Sequence, residues 1–239
     1  MQLKKNRWKK AQAYEKSYWD SLGHNVASGL DWYDEKSQFL FKKLRVFFPQ
    51  INEKSFKVIE VGTGPFGVIS AFRDYKTYGV EPLEMHFRSK PGVMNHRGKG
   101  VIYLPGMGEK LPFKNNVFDF AILDNMLDHT ENPEVVLNEI SRVLRIGGII
   151  YFEINLRTMI GEKVRRLMEI GEIDKGHPYS YSKRSLEHLL KNHFTIIESF
   201  HGSFIENAKF YLGKSSLKGI LKILTGTLEY RYYAFLKKE

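Results

Sequence analysis

The chain has 239 residues, of which 42% are apolar and 27% charged, a balance that allows one large α/β domain with a buried core and excludes a disordered chain. It contains no cysteine, which excludes disulfides, thiolate metal sites and cysteine nucleophiles and fits a reducing cytoplasm. The net charge of +10 fits an acidic partner such as nucleic acid, a phosphorylated substrate or an anionic membrane, but a solvated lysine-rich surface is the preferred interpretation. Neither a signal peptide nor a membrane-spanning run is predicted, so we expect a cytoplasmic protein.

The first 50 residues differ in pattern from the rest. We expect residues 1–50 to form a helical cap or lid and residues 51–239 to form the main domain. Tyr14, Tyr18 and Trp19 recur at helical spacing within the cap. Such an aromatic stripe serves either as a flap over a ligand pocket or as ordinary core, and both interpretations stay open.

Short apolar runs alternate with helical segments beyond residue 50, which predicts a doubly wound α/β sheet. The last two runs are expected to form an antiparallel hairpin at its edge. The predicted strands are 57–61, 76–81, 100–104, 118–123, 149–154, 194–200 and 228–236.

Two helices of this sheet are marked by their ends. One is predicted to begin at Val68, directly after a glycine-rich loop. The other follows the fourth strand, where Asn132 is placed to cap the first turn and Pro133 suits the first helical position. Gly147 and Gly148 are placed to end it.

The glycine-rich loop is the strongest functional signal. Gly62, Gly64 and Gly67 spell G-x-G-x-x-G, a spacing that permits a tight turn and lets a ligand approach the backbone. Glu81 ends the second strand, where a carboxylate can accept both hydrogen bonds of a ribose diol. The spacing alone also fits a nicotinamide-dependent oxidoreductase. Glu60 disfavours that alternative, because a carboxylate beside the loop repels a pyrophosphate.

These motifs resemble the class I S-adenosylmethionine-dependent methyltransferases, and most closely the type-11 group that includes ubiquinone and menaquinone biosynthesis enzymes. The resemblance covers about 57–154 and implies a seven-stranded, Rossmann-like mixed sheet with an N-terminal helical extension. Insertions would lie at about 156–192 and 201–226. The matching segments are 58–67, 79–82, 109–113, 118–133, 137–145 and 147–148.

The resemblance also implies how S-adenosylmethionine, and its product S-adenosylhomocysteine, would be held. Glu60 would lie near the methionine amino group, and Glu81 would hold the ribose hydroxyls. Leu83 would pack on the adenine, whose polar edge Gly108 and Glu109 would flank. The implied cofactor-binding residues are Glu60, Gly62, Gly64, Gly67, Glu81, Pro82, Leu83, Gly108, Glu109, Asp124 and Asn125.

Methyl transfer from a sulfonium requires the protein to align the acceptor, exclude water and, where needed, remove a proton. Three residues are candidates for this work. His129 is a candidate general base that Asp128 would orient, and His177 lies in a later loop. Each histidine also has a simpler interpretation, His129 as packing beside the pocket and His177 as an exposed side chain. No metal site is predicted, because no metal-binding histidine motif occurs.

We therefore expect an S-adenosylmethionine-dependent methyltransferase (EC 2.1.1.-) acting on a small-molecule or lipid- or sugar-linked acceptor. The basic charge keeps an RNA or protein methyltransferase open. A non-catalytic, methyltransferase-like binding protein also stays open, because Phe66 and Met107 depart from the family pattern and Phe66 would narrow the cofactor mouth. A basic amphipathic stripe at about 214–224 would permit peripheral membrane contact.

Overall fold

The computed structural model describes residues 2–22, 30–51, 55–170, 176–214 and 216–239. Its seven strands form one sheet in the order β3-β2-β1-β4-β5-β7-β6. All paired strands are parallel except β7, which runs antiparallel to both β5 and β6. The predicted Rossmann-like mixed sheet is therefore confirmed. The strands are β1 (Lys57–Val61), β2 (Lys76–Glu81), β3 (Ile102–Pro105), β4 (Phe118–Asp124), β5 (Leu144–Leu156), β6 (Thr195–His201) and β7 (Tyr230–Lys237).

Helices cover both faces of this sheet. None of the described helices is long and apolar enough to cross a membrane. The helices are α1 (Gln2–Leu22), α2 (Leu30–Phe47), α3 (Glu84–Arg88), α4 (Pro91–Met94), α5 (Pro133–Val143), α6 (Met159–Ile170), α7 (Lys183–Lys191), α8 (Phe204–Gly213) and α9 (Leu217–Leu224).

Each face of the sheet has its own core, as expected for strands that are apolar on both sides. On one face, α5 contributes Val136 and Ile140 and α7 contributes Leu186. On the other face, Leu40 and Leu44 of α2 pack against the sheet. The second helix of the segment predicted as a cap, α2, is thus a structural layer of the domain. The predicted insertions contain α6 and α7 in the first and α8 and α9 in the second.

The prediction of a helix that begins at Val68 is wrong. The chain forms only a short 3-10 turn there, Val68–Ala71. Phe72 follows at once and is fully buried, with its ring 4.5 Å from that of Phe41 on α2. The chain must then reach the start of β2 at Lys76, which leaves no length for a full helix.

The helix after β4 begins as predicted but ends earlier. Pro133 is its first residue, yet the Asn132 side chain makes no capping bond. The helix ends at Val143 because Leu144 already pairs with Phe118 of β4 as the first residue of β5. Gly147 therefore lies within a strand and does not end the helix.

Candidate cofactor and acceptor site

The carboxyl ends of β1, β2 and β4 meet at one edge of the sheet, where ligands bind in open α/β folds. Two cavities lie there, one of about 470 Å³ and one of about 60 Å³. They share Glu15, Gly62, Asn125 and His129 as lining residues, so they lie side by side, and we call the two together the cleft.

The glycine loop after β1 forms the floor of the cleft. Gly62, Gly64 and Gly67 all have positive φ, at 76°, 56° and 72°. A Cβ atom on Gly62 would lie 2.6 Å from the Met126 Cβ, so this position has no room for a side chain. Gly62 and Gly64 line the larger cavity, whereas Gly67 packs against Glu60 beneath the loop.

Glu81, at the end of β2, holds this loop and faces the smaller cavity. Its Oε2 accepts a hydrogen bond from the Gly64 N–H and its Oε1 accepts one from the Leu83 N–H, each at 2.9 Å. Burial, together with the nearby Glu15 carboxylate, raises the pKa of Glu81 to about 7. Each oxygen keeps a second lone pair, which is what two ribose hydroxyls need. The floor therefore fits an adenosyl cofactor.

Glu60, the penultimate residue of β1, is buried beneath the loop. Its carboxylate accepts hydrogen bonds from the N–H groups of Val68 and Ile69, at 3.2 and 2.7 Å. Burial raises the pKa of Glu60 to about 8, and these two bonds oppose the rise. Glu60 lines the larger cavity but is tied to its own loop, so its contact with the methionine amino group stays a prediction.

The smaller cavity brings together two of the three residues that were predicted at the adenine. Gly108 and Glu109 line it beside Pro82, whereas Leu83 does not. The Oε1 of Glu109 also accepts hydrogen bonds from the N–H groups of Glu131 and Asn132, at 2.7 and 3.0 Å. Glu109 thus holds the start of α5, which the Asn132 side chain was expected to cap.

Leu83 and Phe66 line neither of the two cavities. Both belong to a small cluster with Phe87, Val93 and Trp19, under α1 and beside the cleft. Phe66 is only 1% exposed and lines neither cavity, so the expected narrowing of the cofactor mouth is wrong. The bulky ring replaces a small residue because this cluster gives it a place in the core.

Asp124, at the end of β4, is bound to α2. Its Oδ2 lies 2.7 Å from the Nζ of Lys36, which is also 3.0 Å from Glu153 and 3.6 Å from the centre of the Trp32 ring. Burial raises the pKa of Asp124, and Lys36 opposes that rise. Oδ1 of Asp124 has no hydrogen-bond partner among the described residues. Asn125 follows with a φ of 49° and lines both cavities.

Sequence reasoning missed Lys36, Trp32 and Tyr33. The two aromatic residues line the larger cavity, and Lys36 anchors α2 to the end of β4. The only available signal was their shared place on one helix. Nothing local marks Lys36 as the partner of a residue 88 positions away.

The three catalytic candidates come together at the junction of the two cavities. The ring centres of His129 and His177 are 4.6 Å apart, and the Nε2 of His129 lies 3.9 Å from the Oδ1 of the buried Asp128. The loop that carries His177 is pinned there by Tyr179, whose N–H donates to the Asp128 carbonyl and whose hydroxyl donates to the Glu131 carbonyl.

This cluster also has the donor types of a metal site, since one atom from each of Asp128, His129 and His177 lies within 4.8 Å of the others. Ligands of a tetrahedral zinc ion are only about 3.3 Å apart. The three groups would have to close in to hold an ion, and the predicted absence of a metal stays a prediction.

Aromatic side chains form the roof of the larger cavity. Tyr14, Tyr18 and Trp19 of α1 all line it, which places the predicted stripe over the pocket. Asp20, at the exposed end of α1, holds this helix to the segment after β2 through an ion pair with Lys90 and a hydrogen bond with His86.

Comparisons with known proteins agree with this geometry. Residues 59–152 match the family model described as a methyltransferase domain. An uncharacterised protein of Methanocaldococcus jannaschii is 26% identical over 73% of this chain and 81% of its own length. An uncharacterised methyltransferase of Mycobacteroides abscessus is 34% identical over 38% of this chain, and the match spans only 37% of that relative. The solved structure of a geranyl diphosphate methyltransferase with GPP and sinefungin shares the fold, with a TM-score of 0.62 at 12% identity over 86% of this chain and 78% of its own.

Proposed function

We propose that this chain, which belongs to the type-11 group of class I S-adenosylmethionine-dependent methyltransferases, methylates a hydroxyl group of a small organic acceptor in the larger cavity. The observation that carries the proposal is the position of His129, which lines both cavities and so lies between the cofactor side and the acceptor side. The bound cofactor supplies an electrophilic methyl group.

The protein's own groups divide the remaining work. Glu81 offers its spare lone pairs to the ribose, while the Gly62 and Gly64 backbone lets the ligand lie close. The Oδ1 of Asp128 lies 3.9 Å from the Nε2 of His129, a distance at which the carboxylate acts on the ring through its charge and not through a hydrogen bond. The imidazole of His129, which lines both cavities, accepts the acceptor's hydroxyl proton as the methyl group is transferred. The aromatic roof excludes water from this step.

The lining of the cleft favours a small acceptor over a nucleic acid. A cavity of about 470 Å³ lies within the roughly 300–1,000 Å³ typical of small-molecule sites. Lysine and arginine are absent from the described residues that line the two cavities, whereas Glu15, Glu60 and Asp124 are present. A phosphate-rich strand would meet these carboxylates at the point of transfer, so the lining of the cleft gives the overall basic charge no role in binding such a strand.

An amine acceptor is the second candidate, and the same lining supports it. Carboxylates and aromatic rings together bind ammonium groups, through ion pairing and cation–π contact. The two candidates differ in their need for a base. A hydroxyl must lose its proton during transfer, whereas an amine can react after losing a proton to solvent.

The test is turnover with a panel of hydroxyl and amine acceptors, following S-adenosylhomocysteine formation and the position of the added methyl group by mass spectrometry. We expect O-methylated product, and we expect His129→Gln to lower kcat about 100-fold while leaving S-adenosylhomocysteine affinity within about twofold. His193→Gln is the matched control, since His193 lies outside the cleft and pairs with Glu134. N-methylated product whose rate is unaffected by His129→Gln would favour the amine candidate. Turnover on RNA or protein alone would overturn both.

A further inference from the structure

Three helices beyond the cofactor half of the chain expose large apolar side chains to solvent. Single exposed apolar residues are ordinary, but contiguous ones mark a binding surface. The exposed fractions here run from 53% at Leu212 to 84% at Leu217. We call this surface the apolar–basic face; its apolar members are Met159, Ile160 and Leu167 of α6, Ile205, Phe210 and Leu212 of α8, and Leu217, Leu221 and Leu224 of α9.

The three helices are linked by contacts at two places, and we call the three together the layer. The Thr158 N–H and hydroxyl both donate to the Gly226 carbonyl, at 3.2 and 3.0 Å, which ties the start of α6 to the end of α9. Gly219 of α9 packs so closely on Tyr211 of α8 that an added Cβ would lie 2.9 Å from its ring. This contact explains a glycine inside a helix, where glycine otherwise costs stability.

The layer lies at the same edge of the sheet as the cleft. The helix α6 follows the carboxyl end of β5, and the α8–α9 pair connects the carboxyl end of β6 to β7. Because β4, β5 and β6 all point the same way, these connections sit at the edge where the cofactor site is built. A partner surface that binds this layer would therefore lie beside the cleft, at the carboxyl ends of the strands, and not at their amino ends.

Basic residues accompany the apolar ones. Lys209, Lys214, Lys218 and Lys222 fall between positions 207 and 228, a stretch without any aspartate or glutamate. The Nζ of Lys214 lies over the Phe210 ring, 4.3 Å from its centre, a cation–π contact that places a positive charge directly beside an exposed apolar side chain. Exposed leucines flanked by lysines are the composition that binds an interface of acyl chains and anionic headgroups.

We propose that the apolar–basic face docks the chain peripherally on an anionic phospholipid bilayer. Charge complementarity selects this occupant. A second copy of the chain would bring the same lysines face to face, whereas anionic headgroups neutralise them. Docking itself requires no methyl transfer. The consequence that a bilayer-borne acceptor reaches the cleft does rest on the proposed function.

Vesicle cosedimentation tests the proposal with the full chain. Vesicles of phosphatidylcholine alone are compared with vesicles containing 30% phosphatidylglycerol, at low and high salt. We expect about tenfold or stronger partitioning onto the anionic vesicles, weakened severalfold by high salt. Equal binding to both vesicle types, or binding to neither, would overturn the proposal.

Two variants show which residues are responsible. Leu221→Ser with Leu224→Ser should lower partitioning at least about tenfold. Ile146→Ser is the matched control, because Ile146 is equally exposed, at 76%, but lies at the start of β5 on the opposite edge of the sheet. Lys214→Gln with Lys218→Gln should weaken binding to anionic vesicles only.

Size-exclusion chromatography and S-adenosylhomocysteine titration complete the design. A wild-type dimer that Leu221→Ser with Leu224→Ser converts to a monomer would overturn the proposal in favour of a second copy on this face. Unchanged cofactor affinity and unchanged turnover on soluble acceptors in the same variant are the expected results. They separate loss of docking from loss of the proposed function.

Discussion

The floor and the roof of the cleft are built in different ways. The floor consists of strand ends and a glycine loop, and its carboxylates at positions 60 and 81 are held by backbone N–H groups. The roof consists of aromatic side chains on α1 and α2, held by Lys36 and by Asp20. A floor made of backbone groups recognises what the family shares, the cofactor. A roof made of side chains can change by single substitutions, and we propose that it selects the acceptor.

The largest effect is expected from Glu81→Gln at the floor. An amide has one acceptor oxygen and a donor group that would face the N–H of Gly64 or Leu83, both of which now donate to the carboxylate. The ribose would also lose charge-assisted hydrogen bonds, each worth about 1.5–3 kcal/mol. We expect S-adenosylhomocysteine affinity to fall about 100-fold, measured by isothermal titration calorimetry.

Glu198→Gln is the control for this substitution, since Glu198 is a half-exposed carboxylate that pairs with Lys43 far from the cleft. Its Kd should stay within twofold of the wild type. A Glu81→Gln variant that unfolds at the wild-type temperature and binds within threefold of the wild type would show that the ribose is held by other groups.

The contrast between a floor built from local backbone groups and a roof built from distant side chains also determines how much of the site can be predicted from sequence. The loop glycines were recognisable because positive φ values favour that residue, and Glu81 because strand ends of a parallel sheet share an edge. Both features depend only on the residue type and its place at the end of a strand. Lys36 was missed because its meaning depends on Asp124, which only the folded chain brings within 2.7 Å. The same holds for His177, which was named as a candidate but could not be placed beside His129.

A smaller effect is expected when pH is changed. Burial raises the pKa of Glu81 to about 7, so below that pH the apo protein carries a proton that must leave before the carboxylate accepts two ribose hydroxyls. The Kd for S-adenosylhomocysteine should therefore rise about tenfold between pH 8 and pH 6. Titration calorimetry in two buffers of different ionisation enthalpy should also show proton release at pH 6.

Glu81→Gln provides the control, because its weaker binding should not change over the same range. If the Kd of this variant still rises as the pH falls, the titrating group would be Glu60, whose pKa is raised by burial to about 8. Affinity that improves as the pH falls would contradict a carboxylate acceptor at either position.

The smallest effect is expected at the roof, from Asp20→Asn. Asp20 pairs with His86 and Lys90 at the exposed end of α1, and exposed ion pairs contribute little because solvent screens them. We expect S-adenosylhomocysteine to dissociate about two- to fivefold faster in stopped-flow displacement, with little change in the association rate. High salt should bring the wild type close to the variant. Asp74→Asn is the control, because Asp74 is an exposed carboxylate in the loop before β2. This substitution should leave the dissociation rate of S-adenosylhomocysteine unchanged. An effect as large as that of Glu81→Gln would mean that α1 belongs energetically to the cofactor site, and the division between a shared floor and a selective roof would have to be drawn at α2 instead.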